Sequence, residues 1–225
     1  MHLHSIGIND NGPAPVNVGA PFRNFGSHDP VKPYALDFMR MMKTDSLFEY
    51  TITSPTTDND LMNESIFILK KRNIHAVTSG DVMRVRKWKL AEPKRIIPAV
   101  MFSFGDTLSQ KLSVDSLRSL FQSQEFKVFG EIMLQYEGYS ASDPAFEPFL
   151  KMAEELDVPV GIHMGLGPPG VGSLPPGSFK ASLCSALNLE EALKRHPKLR
   201  VYVMHAGCLC SMICLLCCMY IRRYM

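Results

Sequence analysis

Three short histidine segments lie far apart in this chain: His2-Leu3-His4, Gly161-Ile162-His163-Met164-Gly165 and Val201-Tyr202-Val203-Met204-His205-Ala206-Gly207. Residues two apart in a strand point to the same side, so His2 and His4 present two imidazoles together. His163 and His205 each follow an apolar, β-branched run and precede small residues, where a strand gives way to a loop. Four imidazoles at strand ends are the donors of a divalent-metal site, a pattern that points to metal-assisted hydrolysis.

A fifth candidate is Glu131, inside the apolar run Val128–Leu134. A carboxylate buried there is costly unless it is paired or bound to metal. The bland alternative is an acid hydrogen-bonded at the edge of the site or pointing outward. The other histidines carry less. His28 lies in the first long loop, where it could meet substrate. His75 follows Ile74 among neighbours that suggest packing, and His196 precedes Pro197 at the end of a helix, a position of capping chemistry. Arg23 could hold a substrate carboxylate, though a surface arginine is the commoner reading. The Gly165–Gly177 run resembles a phosphate loop only superficially. It lacks the Lys-Ser/Thr ending, and its prolines remove the N–H donors that cradle phosphate. It reads instead as a loop that shapes a substrate pocket.

The elements that must position these residues alternate in type. Strands are expected at His2–Ile6, Ile74–Thr78, Arg95–Phe102, Lys127–Leu134, Val158–His163 and Leu199–His205. Helices are expected at Tyr34–Lys43, Leu61–Arg72 (with Leu61, Ile66 and Leu69 inward), Asp81–Lys89, Val114–Gln122 behind a Ser113 cap, Ala145–Leu156 and Ser182–Arg195. The stretches Gly7–Pro33 and Thr51–Asp60 read as loops. The pattern is α/β, with six βα units around a parallel sheet. It makes an incomplete TIM (β/α)₈ barrel, about six of eight units, with the candidate residues at the C-terminal strand ends where barrel active sites lie.

These motifs, His2-Leu3-His4, Gly130-Glu131-Ile132, Gly161-Ile162-His163 and Met204-His205-Ala206-Gly207, resemble those of the amidohydrolase superfamily, in its amidohydrolase-related branch with aminocarboxymuconate-semialdehyde decarboxylase. The resemblance covers nearly all of residues 1–207. It implies His2, His4 and His163 as metal ligands, and Glu131 as a ligand that can bridge two metals. It implies His205 as the catalytic histidine beside metal-bound water, or as a ligand to a second metal. The metal would be zinc, with manganese or another divalent ion as alternatives. Such an ion lowers the pKa of its water to about 7, and a histidine with a pKa near 6.5 can move the proton. The implied reaction is hydrolysis of an ester, lactone or amide. Non-oxidative decarboxylation of an unsaturated or aromatic acid is the second reading, and an inactive fragment or interaction module the third. The resemblance also calls for an aspartate at the end of an eighth strand, which has no counterpart here. The expectation is therefore a C-terminally truncated barrel of low stability and poor activity.

The bulk numbers suit one domain. The chain has 225 residues, 46% of them hydrophobic, and a net charge of +2 with both signs interspersed. Nothing there favours nucleic acid or a membrane surface, so the expected partner is a small-molecule substrate, with a homo-oligomer open to the intact parent. His2–Asn11 lacks the basic and apolar regions of a signal peptide. The first strand begins at the initiator Met, so an upstream segment is a possible loss. A cytoplasmic location is favoured, with a lost signal as the alternative. Five of the 6 cysteines, Cys208, Cys210, Cys214, Cys217 and Cys218, crowd into residues 208–225, leaving Cys184 alone. A thiolate metal site or a disulfide knot would use such a cluster. Its apolar stretch falls short of the roughly 20 residues of a membrane span. A shifted reading frame accounts for it better: back-translated with one base restored, it reads as an amphipathic helix leading into another strand.

Overall fold

The first strand, β1 (His2–Ser5), leads to an antiparallel pair, β2 (Asn17–Phe22) and β3 (Phe48–Thr53). Helices and strands then alternate as α1 (Asp58–Lys71), β4 (Ala76–Gly80), α2 (Val82–Ala91), β5 (Ile96–Phe102), α3 (Val114–Gln122), β6 (Val128–Ile132), α4 (Glu147–Glu155), β7 (Val160–His163), α5 (Glu190–Arg195) and β8 (Val201–Met204). The structure is a computed structural model and describes residues 1–10, 12–22, 31–32, 36, 43–44, 48–104, 112–167, 171–173 and 177–205. Six strands form one parallel sheet in the order β1-β4-β5-β6-β7-β8. With its helices, this curled sheet is an incomplete α/β TIM barrel.

Local chemistry explains the helices. Thr57 caps α1 by accepting from the Asp60 N–H, with Asp58 and Asp60 in the first turn and Lys70 and Lys71 in the last, as the helix dipole favours. Asp81 caps α2 and Ser113 caps α3 in the same way. Each helix turns one apolar stripe to the sheet: Met62, Ile66 and Leu69 on α1, Val82, Val85 and Trp88 on α2, Leu117 and Phe121 on α3. The largest buried cluster lies between the sheet and the later helices, where Phe129 meets Phe102, Phe146 and Phe149.

Four expectations change. Gly7–Pro33 is not loop throughout, because Asn17–Phe22 is β2. Thr51–Asp60 is not loop either: Thr51–Thr53 completes β3 and Asp58 already begins α1. The signal was the alternation Phe-Glu-Tyr-Thr-Ile-Thr over Phe48–Thr53, a period of two that makes one apolar face. On α1 the buried stripe is Met62, Ile66 and Leu69, at i, i+4 and i+7, so Leu61, expected inward, is only partly buried. The helix expected over Ser182–Arg195 is two 3₁₀ turns, Ala181–Cys184 and Ala186–Leu189, followed by α5. Ser185 divides them with an extended backbone at ψ 133°, and its side chain accepts from Leu187 N–H. The helix expected over Tyr34–Lys43 lies outside the described residues apart from helical Leu36 and Lys43.

Candidate metal centre

The site is assembled on the concave face of the sheet. On β1, His2 and His4 share that face, while Leu3 between them packs with Met62, Ile66 and Leu69 on the helix side. On β7, His163 is the last strand residue, and Val160 and Ile162 join the helix-side core.

Two residues reach the site by breaking strand alternation. Phe129 packs against the helix-layer aromatics, and in a regular strand Glu131 would share that face. The register of β6 slips against both neighbours, between Val100 and Phe102 of β5 and, where β6 meets β7, between Phe129 and Ile132 of β6 itself. The irregularity turns Glu131 the other way. Gly130 allows it, with φ +141° and an ideal Cβ position only 2.5 Å from the Gly161 carbonyl oxygen. Val201 and Val203 of β8 also face the helix-side core, and His205 would follow them. A left-handed backbone at His205, φ 58°, swings its ring into the site instead.

All four imidazoles then meet one carboxylate. Glu131 Oε2 lies 3.1 Å from His2 Nε2 and 2.5 Å from His4 Nε2. Glu131 Oε1 lies 2.5 Å from His163 Nδ1 and 3.2 Å from His205 Nε2. The Glu131 side chain is 1% exposed, and the His205 side chain is 52% exposed. His205 therefore stands at the mouth and Glu131 at the base. Burial works to keep the Glu131 carboxyl protonated, but hydrogen bonds from His163, His2 and His4 outweigh it and hold the group well below the usual carboxylate range. Burial and the neighbouring His163 push the His205 imidazole down, against the attraction of Glu131.

The donors fit a divalent cation. His2, His4 and Glu131 form one group of three, and Glu131, His163 and His205 another, with all ligand atoms of each within 4.8 Å of one another. Imidazole and carboxylate suit zinc, manganese or iron alike. Donors on a tetrahedral ion with bonds of about 2.0–2.2 Å stand roughly 3.3–3.6 Å apart. His2 and His205 nearly meet that spacing from Glu131, and His4 and His163 would open by up to about 1 Å.

Gly165, at the start of the loop after β7, lies against the site. An ideal Cβ on Gly165 would lie 2.8 Å from His163 Nε2 and 3.0 Å from His205 Cβ. The buried Cys184 thiol donates to the Gly165 carbonyl at 3.3 Å. His75 does not pack: it precedes β4, is exposed, and its carbonyl accepts from the Met1 amino group. His196 ends α5 as expected, its N–H donating to the Ala192 carbonyl. It also pairs with Glu147 and Glu154 at 2.7 and 3.1 Å, among the helices and apart from the metal centre. Arg23, His28 and the cysteine-rich 208–225 segment lie outside the described residues. Among the described residues no helix is long and apolar enough to cross a membrane. Two site neighbours went unseen in the sequence. The Tyr136 ring sits edge-on to His163 at 5.5 Å and to Phe179 at 5.4 Å. Tyr202 lies across Gly161. No motif marks Tyr136, whereas strand alternation with a facing glycine was a usable sign for Tyr202.

The chain was compared with known proteins. No curated protein matches it. The solved structures it resembles include 5-carboxyvanillate decarboxylase from Sphingomonas paucimobilis, at 13% identity and TM-score 0.44, covering 64% of this chain and 51% of that one. An amidohydrolase from Mycobacterium avium subsp. paratuberculosis aligns at 16% identity and TM-score 0.40, covering 64% and 47%. 2,6-Dihydroxybenzoate decarboxylase in complex with 2,6-dihydroxybenzoate aligns at 13% identity and TM-score 0.44, covering 64% and 56%. The chain thus spans about half the length of these structures. A family model described as amidohydrolase matches residues 47–209, well over half of the chain, and the chain belongs to that family.

Proposed function

We propose that this chain carries the metal centre of a metal-dependent hydrolase acting on an ester, lactone or amide bond of a small-molecule substrate. The observation that carries the reading is the convergence of four imidazoles, from the ends of three strands, on one buried carboxylate. His2, His4, His163 and Glu131 would hold the cation, zinc being the first candidate. When bound, a divalent cation supplies Lewis acidity, lowering the pKa of water to about 7 and polarising a carbonyl oxygen. His205 is the proton carrier. It is half exposed at the mouth, and its lowered pKa leaves the imidazole neutral at pH 7, with Nε2–H donating to Glu131 and Nδ1 able to accept a proton. The buried base of Glu131 stays ionised and fixes the facing histidine nitrogens.

The test is metal analysis together with turnover on a panel of esters, lactones and amides. His4→Ala and His163→Ala are expected to lose bound metal. His205→Asn is expected to keep it while kcat drops about 10²–10⁴-fold, the usual contribution of a general base. Turnover that survives chelation and dialysis would refute the reading. Release of CO₂ from unsaturated or aromatic acids, with no hydrolysis, would replace it by decarboxylation on the same centre.

A further inference from the structure

Below the histidines, three adjacent strands share one layer of the concave face. Phe129 and Ile132 of β6 pair with Val160 and Ile162 of β7, so Gly130 and Glu131 together face the single residue Gly161. Gly161 in turn pairs with Tyr202 of β8. An ideal Cβ on Gly161 would fall 2.4 Å from both Cζ and Oη of Tyr202. The tyrosine ring therefore fills the place of a side chain at 161 and reaches across β7 toward β6. Strands lie about 4.8 Å apart, a span a tyrosine can bridge. Its hydroxyl is buried and has no hydrogen-bond partner among the described residues. Burial and the negative charge of Glu131 push the phenol up to about 12, so it keeps its proton throughout the physiological range. A buried donor without an acceptor is unfavourable and rare. The nearby acceptor in the same layer is Glu131, which must draw apart from His4 and His163 if the centre holds a cation.

We propose that Tyr202 is a positioning residue of the metal centre: its buried hydroxyl donates to the Glu131 carboxylate once that carboxylate turns to ligate a cation. The proposal rests on the metal-centre reading above. Carboxylate ligands are commonly oriented by such hydrogen bonds, and removing one costs about 10–100-fold in metal affinity. Gly161 belongs to the same device, because any side chain there displaces the ring.

The experiment is a Co²⁺ titration of the full chain and of Tyr202→Phe, read by the visible absorption of the bound ion and by equilibrium dialysis. Wild type is expected to bind Co²⁺, and Tyr202→Phe to bind about 10–100-fold more weakly with an altered visible spectrum. Thermal unfolding of metal-free Tyr202→Phe is expected at or above the wild-type temperature, since the lost hydroxyl is buried without a partner there. Equal affinity and an identical spectrum in the two proteins would overturn the role of Tyr202 and leave the metal centre standing. Failure of wild type itself to bind Co²⁺ would overturn both. Metal-free Tyr202→Phe that unfolds well below wild type would show a structural tyrosine and overturn the proposal.

Discussion

Glu131 and its four histidines separate what residue spacing can reveal from what backbone geometry adds. His2 and His4 were legible because strand alternation places residues two apart on one face. His205 was chosen for its place at a strand end, yet alternation alone would have turned it to the helices. Only a left-handed backbone at that one residue brings its ring to Glu131. Glu131 was legible as an anomaly, a carboxylate in an apolar strand, but its direction depends on the slipped register of β6. Gly165 gives a prediction at this scale. A methyl group there meets His163 and His205 at 2.8 and 3.0 Å. Gly165→Ala is expected to weaken metal binding at least tenfold, while the chain still folds. Isothermal titration with Zn²⁺ and circular dichroism test the two halves, and unchanged Zn²⁺ affinity would show that the loop yields without moving either ring.

At the level of elements, α3 was read accurately, whereas the start of α1 and the irregular stretch before α5 were not. The α3 boundaries, Val114–Gln122 behind Ser113, match the expectation because cap and stripe agree. Ser182–Arg195 carries the same apolar spacing, but Ser185 caps a new turn in its midst. The β2–β3 pair was hidden because its strands are separated by a long connection rather than a tight turn. The contact of α4 with the end of α5 was likewise invisible from sequence, since Glu147, Glu154 and His196 meet only in the fold. Burial works against ionisation of Glu154, but the Lys198 N–H and His196 outweigh it and hold its pKa below the ordinary 4.5. A depressed pKa in the folded state means that acid protonates the unfolded chain first. The contribution is whole above pH 4.5 and is lost as pH falls through the folded value. Glu154→Gln is expected to lower stability by about 1 kcal/mol at pH 7. Urea midpoints of wild type and variant should converge as acidification takes the pH below the folded value. A gap that stays constant with pH would show that the carboxylate charge is not what holds these helices together.

For the molecule as a whole, β1 and β8 are the outer strands of the six-stranded sheet, each with one edge unpaired among the described residues. Open edges of parallel strands invite association with other chains. The 225-residue chain, studied alone, is therefore expected to sediment with a concentration-dependent increase in mass. A single monomeric boundary at every concentration would show that its edges are covered. The alternation of apolar runs with helical stripes determined the fold class, the six strands of the parallel sheet and the identity of the metal-ligand candidates, because strand and helix periods are local properties of the chain. Tertiary structure decided which of the histidines share a site and which, like His196 and His75, do not. It also decided that Glu131 turns toward the histidines and that Tyr202 lies beneath it. Those outcomes depend on register between strands distant in sequence and on backbone angles at single residues, which side-chain patterns do not encode.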